Sequence, residues 1–383
     1  MKKIVFVLMM IFAGIGAWFY YRNLKKSVYW IEDTETGPMR IELVTDSVFV
    51  PFGMAFLPTG EMIVTSRSTA KMYRINLESG QKDELKGLPD IFIEDGDAGL
   101  MDVLPHPRFV DNSLLYYSYS WAQGGKSTLV VERAKVVGDY LTERTKIFVA
   151  YPFHEEPRHY GNRLLLKDGY LFITMGDRFL LRDSAQHLSN HLGKIMRLKE
   201  DGTIPEDNPF INIKDAKPEI WSLGHRNPQG LLDHPVTNEI WEHEHGPKGG
   251  DEINIIHPAL NYGWPVIGYG VGYDGEKIGE GITHHDGMEQ PIYHYTPSIA
   301  PCGMTFYTGN SIKAWKGNLF LGSLALQHLN RLVLDKNHKI IHEERLFKDR
   351  MWRMRSVKQG PDGFLYVGTD NGFILRVREA AGD

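Results

Sequence analysis

Apolar and polar positions along the chain fall into two regimes. Residues 4–21 (IVFVLMMIFAGIGAWFYY) carry no charge, with Lys2 and Lys3 before them and Arg22, Lys25 and Lys26 after. At about 1.5 Å per helical residue this run approaches the roughly 30 Å hydrocarbon core of a bilayer. Its closing aromatics, Trp18, Phe19, Tyr20 and Tyr21, suit a membrane interface. A cleaved signal peptide has a shorter apolar run and a small-residue cleavage site. The pattern predicts an N-terminal transmembrane helix acting as a signal anchor over residues 1–26, then a linker over 27–38. Cleavage and secretion is the alternative.

Past residue 45 the pattern becomes an apolar strand, a turn rich in Pro, Asp and Gly, and a second apolar strand. It returns as GMAFLPTGEMIVTS from Gly53, GLMDVLPHPRFVDNSLLYYSYS from Gly99 and GNRLLLKDGYLFITMGD from Gly161. It returns again as GLLDHPVTNEIWEHEHG from Gly230, GMTFYTGNSIKAWKGNLFLGS from Gly303 and SVKQGPDGFLYVGTD from Ser356. The Asp-Gly and Thr-Gly turns are hairpin chemistry. Spacings run from 46 residues (53 to 99) to 73 (230 to 303), too irregular for a solenoid. Six strand-rich repeats without amphipathic helices predict an all-β, six-bladed β-propeller over residues 39–380. The last repeat reaches Val377, and ring closure is expected to pair it with residues 39–50 (MRIELVTDSVFV).

Composition refines this only slightly. The 39 glycines and 20 prolines fit a chain of many turns. A net charge of −5 argues against a nucleic-acid partner, and the single cysteine, Cys302, excludes an internal disulfide.

Since the fold names no function, chemistry must come from polar loops that interrupt the repeats. RHYGNR (158–163) places His159, a candidate general base, just before a strand whose far end carries MGDR with Asp177. GHRNPQG (224–230) displays Arg226, Asn227 and Gln229 on a loop that either turns or holds an anion. EHEHGPKGGDEIN (242–254) and NYGWP (261–265) offer hard oxygen donors suited to Ca²⁺, with an acidic surface loop as the alternative. His243 and His245 raise zinc as a competitor, although no third ligand is evident. Arg353 and Arg355 alternate with apolar residues, a pairing suited to carboxylates or a reduced quinone oxygen.

Together, GHRNPQG, EHGPKGGDEIN, NYGWP and the R-x-R before GPDG resemble the soluble aldose sugar dehydrogenases that use pyrroloquinoline quinone (PQQ), over about Pro51 to Val377. The resemblance implies a six-bladed propeller with PQQ at the top of the channel, oxidising an aldose or related alcohol to a lactone. It implies His159 as base and Arg226 in the catalytic and cofactor set. Asn227, Gln229, Ser298, Arg353 and Arg355 would contact PQQ, and Asp97 and Asp177 the substrate. Gly246 and Pro247 carbonyls would hold the Ca²⁺ that activates PQQ, and Glu252 with Tyr262 a structural Ca²⁺. Electrons would leave to a quinone or cytochrome, with the propeller facing the periplasm or cell exterior from a bacterial inner membrane. Two departures stand out. Asp97 replaces a usual glutamine, and Ala325 a usual lysine, so the site gains a negative charge and loses a positive one. Lys194, Lys248 or Arg178 are candidates to compensate. Loss of PQQ to leave a calcium-stabilised binding module, or a metal-dependent lactonase, are the alternative functions.

Overall fold

Each of the six repeats folds into one antiparallel sheet, in a computed structural model that describes residues 28–380. Blade 1 runs Pro51–Phe56, Met62–Ser66, Lys71–Ile75 and Lys82–Leu85; blade 2 runs Leu100–Pro105, Leu114–Gln123, Lys126–Val137 and Tyr140–Val149. Blade 3 comprises Leu164–Lys167, Tyr170–Met175, Lys194–Lys199 and Ile220–Leu223, and blade 4 Pro228–Asp233, Ile240–Glu244, Asp251–Ile256 and Tyr293–Tyr295. Blade 5 is Pro301–Phe306, Leu319–Ser323, Leu329–Leu334 and Ile340–Leu346. Blade 6 begins with Met354–Gln359, Leu365–Thr369 and Ile374–Glu379. The first strands pack against one another around the channel, and the first strand of blade 6 returns to that of blade 1.

Blade 6 is completed from the other end of the chain. Strand Gly37–Thr45 pairs with Ile374–Glu379, Ile41 opposite Val377, as the sequence suggests. The expected linker over 27–38 is corrected, because Tyr29–Thr34 is a fifth strand, hairpinned to Gly37–Thr45 through Thr34 and Gly37. Its side chains alternate between exposed and half-buried, so it is a one-faced outer strand whose polar half reads as linker. The expected signal anchor lies outside the described residues. Among those described, no helix is long and apolar enough to cross a membrane.

Second strands explain why the repeats read as unbroken apolar runs. Met62–Ser66, Ile240–Glu244, Leu319–Ser323 and Leu365–Thr369 are buried along their whole length, covered on both faces by neighbouring blades. The inter-blade cores are correspondingly aromatic, with Trp241, Trp315, Tyr116 and Phe320 withdrawn from solvent.

Antiparallel pairing also places the loops. The start of a first strand and the finish of the second lie at the same end of a blade, so six such pairs ring one mouth of the channel. Asp97, His159, Arg226 and Ser298 precede first strands, while Arg67, Asp177, His245 and Asp370 follow second strands.

Ile41 is fully buried in the closing strand, whereas Ile31 on the outermost strand is 48% exposed. Ile41→Ala is expected to lower stability by about 2–4 kcal/mol and Ile31→Ala by under about 1 kcal/mol in urea unfolding. Equal costs would show that ring closure does not depend on this strand.

Candidate active site

His159 stands at the centre of this end, in the left-handed backbone region with φ 55°. Its neighbour Gly176 explains how the chain gets so close: a Cβ there would lie 2.4 Å from the His159 carbonyl oxygen. The His159 ring is held from two sides. Nδ1 lies 2.7 Å from the Asp177 carboxylate, and the edge of Phe179 packs at 5.1 Å between centroids. Asp177 itself is buried, and its Oδ2 accepts the Trp264 indole N–H at 2.7 Å while Oδ1 accepts the Phe179 amide at 2.8 Å. Burial alone would raise the Asp177 carboxyl, but the His159 and Arg226 charges and these hydrogen bonds hold it below the usual carboxylate range. An ionised Asp177 fixes the proton on Nδ1 and leaves the Nε2 lone pair for chemistry.

Asp97 is tied to the same residue. Its Oδ2 accepts the His159 amide at 3.0 Å, and its Oδ1 lies 3.3 Å from Arg67. Burial opposes ionisation, yet Arg67, His159 and the backbone bond bring Asp97 down to about 2. The extra negative charge noted in the sequence is therefore met by a buried cation that sequence reading missed. Arg67 follows the second strand of blade 1, the position that Asp177 holds in blade 3, and this repeat equivalence was the available signal.

Three arginines complete the rim. Arg226 donates from Nη1 to the carbonyls of His245 and Gly246 at 2.8 Å each and sits 5.2 Å from the Trp264 ring. Its buried Nε has no partner. Arg355 grips Asp370 through two nitrogens at 2.7 and 2.8 Å, and Arg353 reaches the same carboxylate at 2.9 Å. Asp370, like Arg67, was not anticipated. Arg353 also donates to the Leu324 carbonyl, next to Ala325. Asn227 accepts the Gly161 amide and the Gln229 side chain, while Cys302 Sγ lies 3.6 Å from Gln229.

Other expected residues are placed differently. The Ser298 hydroxyl donates to Asp251, whose carboxylate also accepts the amides of Gly246, Ile299 and Ala300, so it braces the loop. Lys194 turns to the carbonyls of Ser184, Ala185 and Leu192, and burial lowers it to about 7. Arg178 is spent on backbone oxygens of Ser127 and Arg158. Neither supplies a compensating cation. Lys248 is exposed, with its backbone paired to Val271. His243 and His245 point Nε2 at the carbonyls of Gly303 and Pro301, and burial lowers both to about 3, which makes them neutral donors to the next blade.

Gly246, Pro247, Glu252 and Tyr262 line one small cavity of about 20 Å³, together with Glu244 and Arg226. That is room for a single ion or water. The Tyr262 hydroxyl is committed to Ile255 and His257, so any ligation by Tyr262 would use its main chain. Beside this cavity opens a cleft of about 590 Å³ walled by Phe179, Trp264, Tyr273, Arg226 and Pro247, a size suited to a cofactor and a small substrate. The donor set fits a polyanionic aromatic cofactor, with the unpartnered Arg226 Nε, Arg182 and flat aromatic walls. It also fits a small oxygen-seeking cation among the carbonyls and carboxylates.

The sequence model of the family described as Glucose / Sorbosone dehydrogenase matches residues 48–376. The chain is 38% identical to aldose sugar dehydrogenase YliI of Escherichia coli (strain K12) over 351 residues, covering 88% of this chain and 92% of that protein. It is 27% identical over 411 residues to quinoprotein glucose dehydrogenase B of Acinetobacter calcoaceticus, covering 86% of this chain and 85% of that one. The crystal structure of the soluble aldose sugar dehydrogenase from Escherichia coli in the apo form superposes with a TM-score of 0.85 at 36% identity, over 89% of this chain and 100% of that chain.

The Asp97 environment has a pH signature. Its folded value lies below the ordinary 3.8, so its stabilisation is complete above about pH 4 and is lost as the pH falls toward about 2. At about 1.4 kcal/mol per unit, the wild type is expected to lose about 2 kcal/mol in this window that Asp97→Asn does not lose. Urea unfolding of both proteins at pH 5 and pH 2.5 checks this, and parallel losses would refute the Arg67–Asp97–His159 linkage.

Proposed function

This chain belongs to the glucose/sorbosone dehydrogenase family and is an oxidoreductase acting on sugar CH–OH groups, and on that premise we propose that it oxidises aldoses, or related alcohols, to lactones with PQQ and Ca²⁺. The observation that carries this reading is the buried His159–Asp177–Trp264 set at the edge of an arginine-rimmed cleft. PQQ, when bound, supplies an ortho-quinone that accepts hydride from the sugar carbon, and Ca²⁺ polarises it as a Lewis acid.

Every other part of the task falls to the protein. His159 Nε2 takes the proton of the sugar hydroxyl, which frees the electron pair that forms the lactone carbonyl. Asp177 stabilises the resulting imidazolium and stops the ring from turning. Arg226, Arg353 and Arg355 neutralise cofactor carboxylates, and Asn227 and Gln229 fix the loop that carries Arg226. Phe179, Trp264 and Tyr273 provide flat faces for planar or ring-shaped ligands and keep water from the base. Asp97 retains acceptor capacity for a sugar hydroxyl. Gly246 and Pro247 would hold the activating Ca²⁺; the Gly246 oxygen, which accepts from Arg226, keeps a second lone pair for it.

We place the protein at a bacterial inner membrane, tethered through residues 1–26 with the propeller on the periplasmic side and passing electrons to a quinone or cytochrome. The uncharged run of residues 4–21 supports this reading.

Adding PQQ and Ca²⁺ to the purified protein is expected to change the PQQ absorbance and to give dye reduction with an aldose panel. His159→Ala is expected to lower kcat/KM by roughly 10²–10⁴-fold while retaining the PQQ absorbance change. Absence of both signals in the wild type would overturn the proposal and favour a propeller that has lost its cofactor.

A further inference from the structure

Deeper in the channel than the active-site mouth, the ring closes around one guanidinium. Arg163, 7% exposed, stands just ahead of the first strand of blade 3 and reaches four other blades. Its Nε donates to the Gln229 carbonyl of blade 4 at 2.7 Å, and its Nη1 to the Phe52 carbonyl of blade 1 at 2.8 Å. Nη1 also lies 3.5 Å from Asp102 of blade 2, and Nη2 lies 3.4 Å from Cys302 Sγ of blade 5. The Phe52 ring packs against the group at 4.0 Å. Among the described residues, no hydrogen bond or ion pair joins Arg163 to blade 6.

Blade 6 brings two unused groups to the same place. Ser356, Lys358 and Arg163 line a cavity of about 40 Å³, together with Asp102, Gly230 and Gly303. Ser356 is buried and its hydroxyl has no partner; opposite it across the strand pair is Gly368, which brings no side chain. Lys358 is half-buried, and its ammonium has no hydrogen bond or ion pair among the described residues. Burial lowers it below the usual lysine value; Asp102 opposes this and Arg163 adds to it. Polar groups left unpaired inside a protein are rare, and a withdrawn lysine is rarer.

Charge and donors together describe the missing partner. Arg163 and Lys358 are two cations lining the cavity with one carboxylate, Asp102. That carboxylate is already engaged, since Oδ1 accepts the Val103 amide at 3.0 Å besides Arg163 and Oδ2 accepts the Leu164 amide at 3.0 Å. Asp233, the other acidic group acting on Lys358, is exposed to water. One positive charge is left over, where water can least screen it. We propose that this cavity binds one small monovalent anion, chloride, between Ser356 Oγ, Lys358 Nζ and Arg163. A monatomic anion fits about 40 Å³, whereas a sugar or a quinone does not. A single negative charge cancels the surplus, and a dianion would reverse it. The ion would supply the link that Arg163 lacks, tying blade 6 to blade 3 across the ring.

The test uses purified full-length protein without PQQ, so it is independent of whether PQQ is the cofactor. Thermal unfolding is followed as sodium gluconate, whose anion is too bulky for the cavity, is exchanged for sodium chloride at constant ionic strength. The wild type is expected to gain roughly 2–4 °C in Tm in chloride. Ser356→Asp supplies a tethered carboxylate in place of the ion, so it should exceed the wild type in gluconate and lose the chloride response. Lys358→Met should also lose the response, and be no less stable than wild type in gluconate, because it removes an unpaired cation. Crystals grown in bromide should show an anomalous peak within hydrogen-bond reach of Lys358 Nζ. Equal wild-type Tm in the two salts, or a chloride response retained in either variant, would overturn the proposal. So would bromide crystals with no peak in this cavity, a result that decides the matter even if neither variant folds.

Discussion

Removing charge from water is costly unless neighbours replace the lost hydration, and this constraint shapes the mouth of the channel. Asp177 and Arg355 are almost wholly buried there, and each persists as an ion because the partner sets are complete. Asp177 has a histidine, an indole and an amide; Arg355 has both oxygens of Asp370. Trp264 reaches Asp177 from blade 4, so that bond joins two blades, whereas Arg355 and Asp370 both belong to blade 6. His159 in its left-handed conformation, flanked by Arg178 and Phe179 in the same region, is tolerated because this network over-determines its position.

Charge balance at this end differs from the simple sum of substitutions. Asp97 in place of glutamine and Ala325 in place of lysine suggest a site shifted toward negative by two units. Arg67 accounts for the first of these locally, by pairing with Asp97. The second has no such answer, since Lys194 is bound to carbonyls of its own blade and Arg178 to the Ser127 carbonyl of blade 2. Arg353 reaches the Leu324 carbonyl, next to Ala325 in the chain. Any anionic cofactor would therefore lean on the arginines of blades 4 and 6.

The repeat number, the turn positions and the closing strand near residue 41 were legible because strand alternation and turn chemistry are local properties. The outermost strand Tyr29–Thr34 was not, since a strand with one wet face in YWIEDT resembles a polar linker. His159, Asp177, Arg226 and the R-x-R pair were recognised from motifs, and the structure gathers them at one mouth. Arg67 and Asp370 stand in short, unremarkable stretches and become visible only when equivalent positions of different blades are superposed. Long side chains mislead most: the lysine and arginine considered as spare cations bend back to carbonyls, and sequence carries no record of where a flexible chain ends. Glu242 illustrates the opposite failure, because EHEH reads as an acidic loop when it is a buried strand.

Completing blade 6 with Gly37–Thr45 also has a bearing on the order of events during synthesis. Strand Gly37–Thr45 is synthesised long before its partner, Ile374–Glu379. Blades 1 to 5 can each form from contiguous sequence, yet the ring stays open, and the edge of Gly37–Thr45 unpaired, until the last strand arrives. Any truncation near the C-terminus therefore exposes the N-terminal edge as well. Integrity of the two chain ends becomes a single property, tested at one seam.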